Sequence, residues 1–117
     1  MDPNPIDLPV LEQLRSTAGA EFVDELVATF LEEAPPLLAA LREAQAGGDT
    51  GRFRRAAHSL KSNAQIFGAG RLAEAARTLE LGGLPDAADG PAALAALDAL
   101  EADYAAAAVA LRAHADG

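Results

Sequence analysis

Apolar residues recur along this chain at intervals of three and four, and no stretch alternates with the period of two that a strand requires. That pattern admits amphipathic helices and leaves nothing from which to build a sheet. Aromatics are only 4% of the residues while alanine is abundant, which favours helix further. Glycines and prolines divide the pattern into separate stretches, and their positions predict where each helix starts and stops.

A short first helix is predicted over Leu8 to Arg15, with Pro9 in its first turn, where a missing N–H costs nothing. The second runs from Glu21 to about Ala46, with Phe22, Leu26, Phe30, Leu37, Leu41 and Ala44 as its buried stripe. Pro35 and Pro36 lie inside it and should kink or split it. Asp49 is a suitable N-cap for a third helix that reaches Gly68. The fourth covers Arg71 to about Leu81, with Leu72, Ala75, Ala76 and Leu79 facing inward. Gly82 to Gly90 reads as a mobile loop. Gly90 and Pro91 then open a last helix whose stripe is Leu94, Leu97, Leu100, Tyr104, Ala108 and Leu111. The expected fold is all-α: an antiparallel up-and-down four-helix bundle over 20–117, preceded by a segment with a short extra helix over 1–19. With 117 residues, no internal repeat and half its residues hydrophobic, the chain is expected to form a single domain with its own core.

Several function classes drop out on composition. No cysteine is present, so disulfides, thiolate metal sites and cysteine nucleophiles are excluded. The net charge of −9 argues against nucleic acid as a partner. No apolar run nears the ~20 residues that cross a bilayer, and Met1 to Pro9 lacks the charge and apolar stretch of a signal peptide. A cytoplasmic setting with no membrane partner is therefore expected.

Charge is unevenly spread. Thr50 to Ala73 holds Arg52, Arg54, Arg55, Lys61 and Arg71 and no acidic residue, whereas all eighteen carboxylates lie elsewhere. The third helix is thus a basic strip on an acidic body, either a plain solvated face or an attractor of anions and acidic surfaces. At about 100° per residue, Arg54, Arg55, His58, Lys61, Ser62 and Gln65 fall within roughly 60° of one line. Phe53, Ala56, Leu60, Ala64 and Phe67 fall opposite. His58 is therefore placed at the middle of the polar face, where it is either inert or reactive. Lys61, the only lysine, follows at i+3, and Ser62 at i+4 is small enough to admit another molecule. A free imidazole nitrogen beside an ammonium group is what a phosphoryl carrier needs.

Other chemistries lack their parts. No GxxxxGK[ST] loop is present. The Glu-x-x-His spacing of carboxylate-bridged metal sites is absent too, because Arg55 and Leu111 stand three residues before His58 and His114. No Ser–His–Asp arrangement is recognisable, and His114 near the terminus reads as solvated. No metal and no cofactor is expected.

The segment AHSLKSNAQIFG, Ala57 to Gly68, resembles the signature of histidine-containing phosphotransfer (HPt) domains: His58, Leu60, Lys61, a small residue at Ser62, and Gly68. RLAEAARTLE, Arg71 to Glu80, and FLEEAP, Phe30 to Pro35, are similar to flanking parts of that family. Ser62 departs from its more usual glycine, which bears on partner preference. The resemblance implies that His58 is phosphorylated and Lys61 steadies the phosphate. It also implies that a polar side chain of the fourth helix orients the ring, for which Glu80 is favoured as acceptor from Nδ1–H, with Arg77 as a second cation. The implied role is a carrier, not an enzyme, exchanging a phosphoryl group with an aspartate on a response-regulator receiver domain that supplies Mg2+ and most catalytic groups. A sensor (hybrid) histidine kinase would be the other partner. Ile66 and the first helix (Leu8, Leu11) are expected docking contacts, and the amide of Asn63 should bond to a neighbouring helix. Alternatives are the phosphoacceptor domain of a chemotaxis-type histidine kinase and an unphosphorylated helical adaptor.

Overall fold

The computed structural model describes residues 6–83 and 90–116, all five of its elements are α-helices, and it has no strand among those residues. They are α1 (Leu8–Ala18), α2 (Ala20–Gly47), α3 (Thr50–Ile66), α4 (Gly70–Gly82) and α5 (Gly90–Asp116). Most of the Gly82 to Gly90 connection and the side chain of His114 lie outside the described residues. α1 continues one turn past the predicted Arg15 and stops at Gly19, whose φ of +96° is open to glycine and strained for other residues. Asp49 caps α3 by accepting a hydrogen bond from the Arg52 backbone N–H at 3.0 Å.

α2 is one continuous helix of 28 residues through both prolines, so the predicted split does not occur. Pro35 removes the donor that would have bonded the Leu31 carbonyl one turn back. The Tyr104 hydroxyl of α5 donates to that carbonyl instead, at a long 3.4 Å. Pro36 frees the carbonyl of Glu32, a residue on the exposed side. One orphan is met by tertiary structure and the other belongs to the solvent face.

The buried stripe of α2 is Val23, Val27, Phe30, Ala34, Leu38, Leu41 and Ala44, not the one predicted. Phe22 is exposed, and Leu26 and Leu37 are half-buried. Phe22/Val23, Leu26/Val27 and Leu37/Leu38 each offer two adjacent apolar residues, so the period alone does not choose the face. The same ambiguity affects α5, where Ala93 and Ala107 are buried and Leu94 is exposed. On α4, Ala73 replaces Ala75 beside Leu72 and Ala76.

α2 packs against α3 and α5, α3 against α4, α4 against α5, and α1 against α2. Phe30 sits at the centre, with its ring 5.3 Å from Phe67 and 5.8 Å from Tyr104. On the surface Arg42 clamps α2 to α5 by donating to Glu101 at 2.7 Å and also to Asp98. Gly68 fastens the N-terminal segment: its carbonyl accepts from the Asp7 N–H at 2.8 Å. Its φ is +69°, and a Cβ there would lie 2.9 Å from the Val10 Cβ and 3.0 Å from the Asp7 carbonyl oxygen. Among the described residues no helix is long and apolar enough to cross a membrane.

Candidate functional site

Phe53, Ala56, Ala57, Leu60 and Ala64 bury one side of α3 and thereby turn His58 outward. The imidazole is 60% exposed. On α4, Leu72, Ala73 and Ala76 face the core, and Glu80 follows Ala76 by one turn, which carries its carboxylate toward α3. Glu80 Oε2 lies 2.6 Å from His58 Nδ1, and Glu80 Oε1 accepts from Lys61 Nζ at 2.7 Å. Both oxygens are thus engaged from α3. The Lys61 hydrogen bond is the main reason the Glu80 carboxyl is held below its usual range; partial burial opposes it and the His58 contact adds to it.

With Glu80 accepting at Nδ1, the ring carries its proton there and keeps a lone pair at Nε2. Nε2 makes no hydrogen bond among the described residues. The cluster therefore presents a fixed, solvent-facing nucleophilic nitrogen with an ammonium group one helical turn away.

The remaining expected residues divide. Ser62 lines a groove of about 630 Å³ beside His58, and Arg54 and Arg55 line a second cleft with His58 and Glu80. Gln65 is exposed on the same helix, farther along. Arg77 does not join the cluster: it is exposed and its Nη1 is 3.4 Å from Glu74 Oε1. It precedes Glu80 by three residues, a rotation that leaves it on the solvent side of the α4 stripe. Leu11 is buried in the core and cannot be a docking contact, whereas Ile66 is exposed and Leu8 half-buried. Asn63 makes no side-chain hydrogen bond to a neighbouring helix among the described residues; it is half-buried and lines the larger groove. The α2 wall of that groove, Glu32, Glu33, Pro36 and Leu37, was not anticipated as part of the site. Only the packing of α2 on α3 brings it there, and no spacing along the chain signals it.

An exposed imidazole beside a carboxylate, on a scaffold that is helical throughout the described residues, has the chemistry a phosphoryl carrier requires. The chain belongs to the Hpt domain family, whose model matches residues 25–110. Its structure is similar to that of histidine-containing phosphotransfer protein B (HptB) from Pseudomonas aeruginosa PAO1. The two share 26% sequence identity with a TM-score of 0.82, over 99% of this chain and 97% of that one. No curated protein matches the chain. Its function is histidine phosphotransfer in phosphorelay signalling.

Proposed function

We propose that His58 is the phosphorylated residue, that Glu80 positions it and that Lys61 balances the charge of the phosphoryl group. The supporting observation is the shared carboxylate, with His58 Nδ1 at 2.6 Å and Lys61 Nζ at 2.7 Å from its two oxygens. In this reading the donor is an aspartyl phosphate of a receiver domain in the cytoplasm. The Nε2 lone pair attacks phosphorus, the Nε2–P bond forms, and the P–O bond to the aspartate breaks with its electron pair leaving on the carboxylate. The ring becomes cationic and keeps its Nδ1 proton, and Glu80 stabilises that charge. Lys61 compensates the phosphoryl oxygens. The reverse sequence returns the group to a receiver, and a histidine kinase is the other source. Positioning and charge compensation are most of what phosphoryl transfer asks of a protein, and Mg2+ would come with the receiver.

The reading extends to the architecture. Arg52 contacts Glu43, Arg42 contacts Asp98 and Glu101, and Tyr104 contacts Leu31. Together with Glu80 of α4 meeting His58 and Lys61 of α3, these pairings support α2 to α5 as an antiparallel up-and-down four-helix bundle with α1 as an addition; one domain over 1–117 belongs to the same reading.

Replacing His58 with Gln is expected to abolish acid-labile, base-stable phosphate incorporation from a phosphorylated receiver or kinase. Full labelling of that variant would overturn the assignment.

A further inference from the structure

Two grooves meet at His58, and their walls carry opposite charge. On the α2 side Glu32 and Glu33 line one of them. On the other side Arg54 and Arg55 line the second. His58 and Ser59 belong to both, so the ring stands on the crest between an acidic and a basic wall.

Arg15, Arg42, Arg52 and Arg77 each meet a carboxylate, and Glu80 is neutralised by Lys61 and the His58 contact. Glu32, Glu33, Arg54 and Arg55 have no ion-pair partner among the described residues. Arg54 also lies close against Gly83. A Cβ on Gly83 would lie 2.7 Å from its Nη2 and 3.0 Å from its Nε, so the guanidinium rests against bare backbone that has room for it only because residue 83 is glycine.

The net charge of −9 alone would attract any basic surface without fixing its rotation. A step from negative to positive across the reacting nitrogen does fix it, because a partner docked the wrong way round juxtaposes like charges on both sides.

We propose that this charge step selects the receiver and sets its docked orientation, an inference that rests on the phosphotransfer reading above. The receiver that fits presents cationic side chains to Glu32 and Glu33 and an anionic rim to Arg54 and Arg55.

The test uses the full chain and a panel of receiver domains from the same genome, each loaded with acetyl phosphate and Mg2+. In separate samples, wild type and each variant are labelled with phosphoramidate, a donor too small to dock, as a control on the reactivity of His58. Transfer from the receivers is then timed for Glu32→Lys/Glu33→Lys, for Arg54→Glu/Arg55→Glu and for all four together. Each pair is expected to slow transfer at least about tenfold at low salt. The gap should close toward 1 M salt, where screening acts within about 3 Å. The fourfold variant, which restores the native net charge, stays slow. Unchanged rates in either pair overturn the charge step. So does acceleration by one pair with slowing by the other, which is the mark of net charge alone. If a reversed pair melts early, Glu32→Gln/Glu33→Gln and Arg54→Gln/Arg55→Gln replace it and should show smaller losses in the same direction. No labelling of wild-type His58 by phosphoramidate or any receiver overturns the phosphotransfer reading itself, and the charge step with it.

Discussion

Glu80 serves two donors with one carboxylate, and at the site the consequence falls on His58. Its Oε2 takes the Nδ1 side of the ring, and Lys61 saturates the other oxygen. The ring therefore has one favoured tautomer, with the lone pair at the exposed edge. Glu80→Gln keeps the size of the group and removes its charge. We expect transfer to His58 to slow about tenfold or more, with the helical circular-dichroism signal unchanged. Nitrogen NMR shifts of the ring distinguish positioning from general structural damage. The wild type should show an Nδ1-protonated imidazole, and the variant a mixture of tautomers. An Nε2-protonated wild type would remove Glu80 from this role.

Among the elements, α1 depends on a residue distant from it in sequence. Gly68 accepts from the Asp7 N–H, and its missing Cβ is the space that Val10 and the Asp7 carbonyl occupy. Within the HPt-like signature, the glycine ten residues after the histidine thus has a packing reason in this chain. Gly68→Ala combines a left-handed backbone with a clash against main chain, and should cost about 2–3 kcal/mol of stability. Urea unfolding should show the loss, and amide exchange in α1 should rise more than in α3. Equal exchange in both helices would mean that the clasp is not local. The same dependence on distant partners explains α2. Two prolines in succession read as a break, yet the Tyr104 hydroxyl meets the carbonyl that Pro35 frees.

For the molecule as a whole, acid should be a sharper denaturant than the modest core suggests. Arg42 holds the Glu101 carboxyl below its usual range mainly by hydrogen bonding, against partial burial and the nearby Asp98, and Lys61 does the same for Glu80. A carboxyl whose pKa is lower folded than unfolded leaves the unfolded chain binding more protons in the interval between the two values, so stability rises with pH there. The contribution is complete above the ordinary glutamate value of about 4.3 and is lost as pH falls through the lower folded value. The melting temperature of the wild type should therefore drop below about pH 4.3. Glu101→Gln should drop less steeply over that interval. Parallel curves would show that the Arg42 clamp contributes nothing to folding stability.

Helix number, the placement of most breaks and the outward face of α3 follow from the sequence. A 3.6-residue period with an unmixed polar face at 54, 55, 58, 61, 62 and 65 leaves only one way to pack that helix. The HPt-like motif pointed to His58 and Lys61, and the match of the family to residues 25–110 agrees with the class it implied. Tertiary structure decided what local spacing left equal: Val23 over Phe22, Ala93 over Leu94, an unbroken α2, Arg77 turned to Glu74 and Leu11 drawn into the core. It also set Glu32 and Glu33 beside the ring, a placement that depends on how two helices pack against each other. Periodicity specifies a face relative to its own helix axis. Which neighbour that face meets is settled only when every helix buries its apolar side at once.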